Sequence, residues 1–237
     1  HPIMPDEDSA SGIIDFRGKF NVDAGDAFRL DVHHAMTGTA APSSVSALGM
    51  GTGVGLTAPE AIRLGWTGVD NSGMQVVGRT DRLVMKSSLG PTRIALGRQS
   101  ITLGTGQIFT PLDLVNPFHP ATVDTEYKPG IDAFRFDAYP SDVSEVTVVA
   151  AYAGGWNTTE MVFAAYGQTQ LGATTVGLLL GEIHGDEVVG ISSTFQAGPV
   201  GIVADATVTM PENAEDSPYV RAVLGATHRP TMTENGW

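Results

Sequence analysis

IDFRGKFNVDA (residues 14–24) sorts its side chains by parity, with Ile14, Phe16, Gly18, Phe20, Val22 and Ala24 at even positions and Asp15, Arg17, Lys19, Asn21 and Asp23 at odd ones. Successive side chains of a strand point to opposite faces, whereas the 3.6-residue turn of a helix would mix the two sets. The stretch predicts a strand with one apolar and one charged face.

The same period recurs along the chain. In residues 27–37, Phe28, Leu30, Val32 and Met36 oppose Arg29, Asp31 and His33. In 81–89, Leu83, Met85 and Leu89 oppose Arg82, Lys86 and Ser88; in 131–139, Phe134, Phe136 and Ala138 oppose Arg135 and Asp137. Residues 92–104 open in phase with Ile94 and Leu96 and resume with Ile101 and Leu103, which predicts a bulge near Arg98 and Gln99. Strand-length blocks follow at 144–153, 160–169, 173–183, 187–196, 200–210 and 218–229. Between residues 39 and 80 the count is ambiguous: either 14–37 is partly one long strand, or a strand is missed in that interval. Residues 39–59, rich in Gly, Ser and Ala, read as a mobile loop.

The connections alternate in length. PSD (140–142), QLG (170–172) and AGP (197–199) are short, AGGWNTTE (153–160) and PENAEDS (211–217) are longer, and the short polar HGD (184–186) breaks the rule. Strands of roughly ten residues joined alternately by short turns and longer loops are the signature of a transmembrane β-barrel. A soluble β-sandwich or barrel also alternates, sending its charged face to solvent. Here the apolar faces are thin in bulky core-formers (Gly18, Ala24, Ala138, Ala150), while the polar faces carry closely spaced charges of both signs. That combination favours an all-β, antiparallel transmembrane β-barrel of about 12 or more strands, alone or as part of a larger barrel. One domain spans 1–237, with 1–11 a flexible N-terminal segment and 105–130 a loop folded inward.

Composition narrows the function classes. The 237 residues hold 29 Gly and only 16% charged side chains, which disfavours disorder and helical bundles. With no cysteine there is no disulfide framework and no thiol chemistry. No run of about 18 apolar residues offers a membrane helix, and a start at His1-Pro2 reads as a processed or trimmed chain. The net charge of −13 argues against nucleic acid. It is also segregated: eleven of the thirteen basic residues lie at or before Arg135, and after it Arg221 and Arg229 face twelve carboxylates.

With the strands placed, the stretch DRLVMKSSLGPTRIALGRQSITLGTGQIFTPLDLVNPFHP (81–120) gains meaning. Its DRL, GRQ-x-I-x-x-G and P-x-D-L-x-N-P elements resemble bacterial outer-membrane porins of the alginate-export-like kind and their uncharacterised relatives. The resemblance covers residues 81–139; elsewhere only the strand pattern is shared. It implies a single-chain antiparallel barrel with the loop after GRQ folded into the lumen. The C-terminal THRPTMTENGW departs from the family pattern, since Trp237 ends it without alternating aromatics.

The odd–even pattern gathers Arg17, Lys19, Arg29, Arg82, Lys86, Arg93 and Arg135 on the polar faces of neighbouring strands, and Arg98 joins them as a candidate pore-lining residue. Cations facing lipid at the midplane would cost about 2–4 kcal/mol each, so this ladder is expected to face water or carboxylates. Residues 106–130 contain four prolines, which exclude a central strand. Phe109, Leu112, Leu114, Val115 and Phe118 are expected to pack on an inner wall, and Asp113, Asp124 and Glu126 to meet its arginines. A basic wall facing an acidic loop sets a transverse field across a narrow aqueous passage. The alternative reading of the same residues is Arg–Asp packing that holds the barrel wall and plug in place, with no transport role.

Other constellations point away from chemistry. His33 and His34 are adjacent on a strand and point to opposite faces, so they share no metal. GMGTGVG (49–55) does not fit G-x-G-x-x-G, and neither G-x-S-x-G nor His-x-x-x-His occurs. No enzyme, cofactor or metal is expected. Trp66, Tyr152, Trp156, Tyr166 and Tyr219 lie near strand ends and suit interfacial girdles. The acidic runs PDED (5–8) and PENAED (211–216) lack the spacing of a calcium loop and read as solvated faces. The expected function is an outer-membrane pore for small hydrophilic or charged solutes, with the lipid bilayer and lipopolysaccharide as surroundings. The alternatives are a plugged structural barrel, as a homo-oligomer or in an envelope assembly, and a soluble β-sandwich or barrel that binds carbohydrate or a partner.

Overall fold

The computed structural model describes residues 12–40, 59–71, 74–104, 110–117 and 127–228. They form a 12-stranded antiparallel sheet. Its strands are β1 (Gly12–Ala24), β2 (Phe28–Ala40), β3 (Trp66–Asn71), β4 (Met74–Leu89), β5 (Thr92–Gln99), β6 (Ile131–Ser141), β7 (Ser144–Tyr152), β8 (Met161–Leu171), β9 (Thr174–Ile183), β10 (Asp186–Ala197), β11 (Val200–Met210) and β12 (Tyr219–His228). One 3-10 turn, Thr158–Glu160, is the only helical element among the described residues. The chain is all-β, as its periodicity predicts. Each strand pairs with the next along β1-β2-β4-β5-β6-β7-β8-β9-β10-β11-β12, with β3 added beside β4. Among the described residues β1 and β12 have one neighbour each, so the sheet does not close on itself.

The ambiguous first third resolves into a hairpin and a short extra strand. Residues 14–37 are not one strand: Gly25, with φ 67°, turns the chain and pairs Ala24 with Phe28. The missed strand is β3, whose Trp66 pairs with Gly78. It lies on the same side of β4 as β5, because β4 pairs with β3 through Met74–Gly78 and with β5 through Leu83–Leu89. Most of the predicted 39–59 loop lies outside the described residues, as do 1–11. The predicted strand over 92–104 ends at Gln99 without a register shift, and shifts appear instead in the β2–β4, β3–β4 and β6–β7 ladders.

Tight turns follow β1, β4, β6, β8 and β10 at one end of the sheet. The connections after β2, β5, β7, β9 and β11 gather at the other; of these five, only the one through His184 and Gly185 is short.

Cross-strand partners share a face, and the register shows two faces of opposite character. On the outer face, Phe20 pairs with Val32, Val32 with Leu83, Met85 with Leu96, Leu96 with Phe134, Ala150 with Phe163, Leu180 with Val189 and Val189 with Val208. This apolar row crosses the sheet, and the large side chains of that face are exposed, up to 78% for Ile14. The inner face is where the chain buries side chains, polar ones included: Asp31, Asp81, Asp137, Thr147, Ser192, Asp205 and Thr207.

Part of the inner face is dry. Ile131 and Ala133 of β6, Val149 and Ala151 of β7, Val162 and Ala164 of β8, Leu179 and Ile183 of β9 and Val188 of β10 form one apolar cluster with Ile101, Leu103, Leu112 and Val115. The segment after β5 thus lies across the inner face. A side chain at Gly190 on β10 would meet Leu112, and one at Gly104 would meet Leu112 and come within 3.4 Å of Asp205 on β11. Tyr166 belongs to this interior, not to a girdle: it is 6% exposed and bonds Ser192 Oγ at 2.8 Å. Trp66 does lie on the outer face, its indole across Gly78 and its Nε1 donating to His34 Nε2 at 3.3 Å.

Candidate functional site

The charged part of the inner face occupies β1, β2, β4, β5 and β6. Register places Lys19 opposite His33, His33 opposite Arg82, Arg29 opposite Lys86, and Arg93 opposite Asp137. Arg17 and Arg135 continue the same face. Seven of the eight cations read from the sequence therefore share one wall.

Their counter-ions come from the strands themselves. Asp31 accepts from Arg29 Nε at 2.7 Å and from Lys86 Nζ at 2.6 Å. Asp81 accepts from Arg79 Nε at 2.6 Å and lies 3.4 Å from Arg17. Asp137 accepts from Arg135 Nε at 2.7 Å and from the Thr147 hydroxyl at 2.7 Å. The recurring unit is Arg-x-Asp: Arg29-Leu30-Asp31, Arg79-Thr80-Asp81 and Arg135-Phe136-Asp137. Two residues apart on a strand means the same face, so this signal was legible in the sequence although the expected partners lay elsewhere.

The loop carboxylates correct that expectation. Asp113 does not meet the wall; both its oxygens accept from Lys128 Nζ at 2.7 Å. The ammonium also reaches the Ile101 carbonyl and, at 3.1 Å, the Thr102 hydroxyl. The pair pins the two ends of the inward segment to each other. Burial raises the Asp113 carboxyl above the ordinary carboxylate range and lowers the Lys128 ammonium, each partly offset by its partner. Asp124 and Glu126 lie outside the described residues, as do Phe109 and Phe118. Leu112 and Val115 are buried in the inner cluster and Leu114 packs against it.

Arg98 also departs from expectation. It pairs with Leu83 and Asp132, two residues along from Leu96, and so falls on the opposite face from the ladder. It escapes the apolar surroundings because residues 59–65 cover it. The guanidinium, 3% exposed, donates to Asp132, to Glu60 at 2.7 Å and to the Ile62 carbonyl at 2.7 Å. Asp132 in turn accepts the Ala61 amide at 2.8 Å. Sequence parity cannot show that a segment thirty residues upstream returns to roof this position.

Tyr127 is the residue the sequence reading missed. Its ring lies 3.6 Å from the Arg17 guanidinium, 4.8 Å from that of Arg82 and 5.3 Å from the Lys19 ammonium, and its hydroxyl bonds His33 Nδ1. Burial raises its phenol above the ordinary value. Arg82 is fixed by donation to the Asp81 carbonyl at 2.7 Å and the Lys128 carbonyl at 2.8 Å. His34, facing the other way, bonds Thr80 at 3.0 Å. Among the described residues no group of His, Asp and Glu is arranged to hold a metal.

Toward the tight-turn end the wall encloses a cavity of about 460 Å³. Arg29, Arg82, Lys86, Arg93 and Arg135 line it together with Asp23, Asp26 and Asp137. Arg93 faces the Tyr139 ring at 5.8 Å. Among the described residues neither it nor Lys19 has a carboxylate within ion-pair distance.

No protein family and no curated protein matches the chain. Among solved structures, OccAB4 of Acinetobacter baumannii is similar with a TM-score of 0.46 and 8% identity, over 93% of this chain and 58% of its own. A mutant of Rh. blastica porin is similar with a TM-score of 0.40 and 12% identity, over 93% of this chain and 90% of its own. The chain thus spans 58% of the length of OccAB4.

Proposed function

We propose that the sheet is wall of a bacterial outer-membrane pore through which small hydrophilic, charged solutes diffuse along the Arg/Lys ladder. The observation that carries this reading is the sidedness of the sheet. Large apolar side chains are exposed on the outer face of strand after strand, while the charged side chains of β1–β7 point inward, apart from the Arg98–Asp132 pair that residues 59–65 cover. A water-soluble fold would bury that apolar row, each large side chain gaining roughly 1.5–3 kcal/mol by leaving water. A contiguous exposed apolar surface of this kind marks contact with lipid or a partner. Lipid suits it best, because the row runs around the sheet and tight turns gather at one end with longer connections at the other.

In this pore the local field is set by cations without carboxylate partners, chiefly Lys19 and Arg93, so anions are favoured over cations at low salt. Purified protein reconstituted in a planar bilayer tests this: discrete conductance steps with an anion-leaning reversal potential are expected. Recovery as a soluble monomer without detergent refutes the membrane reading. A second reading, a plugged barrel, is favoured by the dry packing of Ile101, Leu103, Leu112 and Val115 on the inner face. It is supported instead if the protein needs detergent yet never conducts.

A further inference from the structure

Three cations, Arg17, Lys19 and Arg82, converge on the face and rim of one neutral ring, Tyr127, with no carboxylate bridging all three. The Arg17 Nε is buried with no hydrogen-bond partner, and so is Asp81 Oδ2, 3.4 Å from Arg17 Nη2. A ring quadrupole attracts cations, but less strongly than a carboxylate or phosphate oxygen placed at the same point. The ring also belongs to the segment after the inward loop, not to the wall, and its hydroxyl is tethered to His33 alone. Arg82 also lines the cavity that it shares with Lys86 and Arg93.

We propose that Tyr127 is a displaceable internal ligand of the ladder. Its ring occupies the site of Arg17, Lys19 and Arg82 in the empty state, and a solute carboxylate or phosphate takes that site by pushing the ring away. Tyr127 is then a specificity-determining residue: solutes bearing a compact anionic group displace the ring and occupy the site, and neutral solutes of the same size do not. The inference rests on the pore reading only for its consequence in transport; the exchange itself is a binding event.

Two measurements separate the two. In protein in detergent, nitration of Tyr127 by tetranitromethane, mapped by mass spectrometry, is compared with and without citrate at matched ionic strength set by sodium chloride. Citrate is expected to raise Tyr127 reactivity several-fold and glucose to leave it unchanged; no change with citrate overturns the proposal whether or not the protein conducts. In bilayers, Tyr127→Ala is expected to bind citrate about fivefold more tightly, read as block of chloride current, about the worth of one lost cation–π contact. Tyr127→Phe, which keeps the ring and loses the His33 bond, is expected within about twofold of wild type by the same reasoning. Equal citrate block in wild type and Tyr127→Ala overturns the proposal. Absence of any current, with citrate-dependent nitration intact, overturns the pore reading alone.

Discussion

Ile191 tests the sidedness of the sheet directly. It is mid-strand in β10, paired with Leu178 on one side and Ala206 on the other, and 58% exposed. Val143, 52% exposed, is its counterpart in the β6–β7 turn. If the outer face met water, arginine at either position would change stability by no more than about 0.5 kcal/mol, as for ordinary surface sites. If it meets hydrocarbon, Ile191→Arg costs about 2–4 kcal/mol at the midplane, and Val143→Arg costs about 0–1 kcal/mol because the turn lies near the interface. The expected difference is a shift of about 30- to 800-fold in the folding equilibrium for one variant and little for the other. Urea titration in short-chain phosphatidylcholine vesicles, followed by tryptophan fluorescence and heat-modifiable migration, measures both. Equal, small effects at the two sites would refute the lipid-facing assignment, whatever the conductance of the protein.

Three further perturbations probe the interior. Lys128→Met leaves Asp113 charged and without its ammonium among buried groups, which is expected to cost about 3–5 kcal/mol, whereas Asp113→Asn with Lys128→Met is expected to recover most of that loss in the same titration. Arg98→Met removes the hub that ties residues 59–65 to Asp132; trypsin should then cut after Arg63 much faster than in wild type, and unchanged protection would show that the segment is held by other contacts. Gly97 has φ 118°, and a Cβ there would fall 2.2 Å from the Leu83 carbonyl oxygen. Gly97→Ala is accordingly expected to cost at least about 1–3 kcal/mol, read from the urea midpoint.

How much of the site was legible follows from which interactions are local. Residues two apart on a strand are bound to share a face, so the common wall of Arg17, Lys19, Arg29, Arg82, Lys86, Arg93 and Arg135 was visible in the parity of the sequence. The same rule makes the Arg-x-Asp pairs readable. At Arg98 the rule holds and the pore-lining expectation departed from it: no bulge intervenes, and Arg98 keeps the face of Ile94 and Leu96 through an unbroken register. The rule is silent on Asp113, whose partner depends on how the two ends of a long connection return to each other. It is silent on Tyr127 too, which reaches cations on β1 and β4 from far along the chain.

The sequence by itself determined most of the strands, β3 excepted, their two-faced character and the turns that gather at one end, because backbone geometry converts a period of two into two faces with no need of distant contacts. Tertiary structure decided which strand neighbours which, placing β4 beside β2 with β3 as an annex. It also packed the apolar residues of the inward segment on the inner face, set an aromatic ring on the cationic wall, and laid residues 59–65 over Arg98. Those outcomes depend on where irregular chain comes to rest, and that is fixed by the sum of many long-range contacts, not by any periodicity a short stretch can carry.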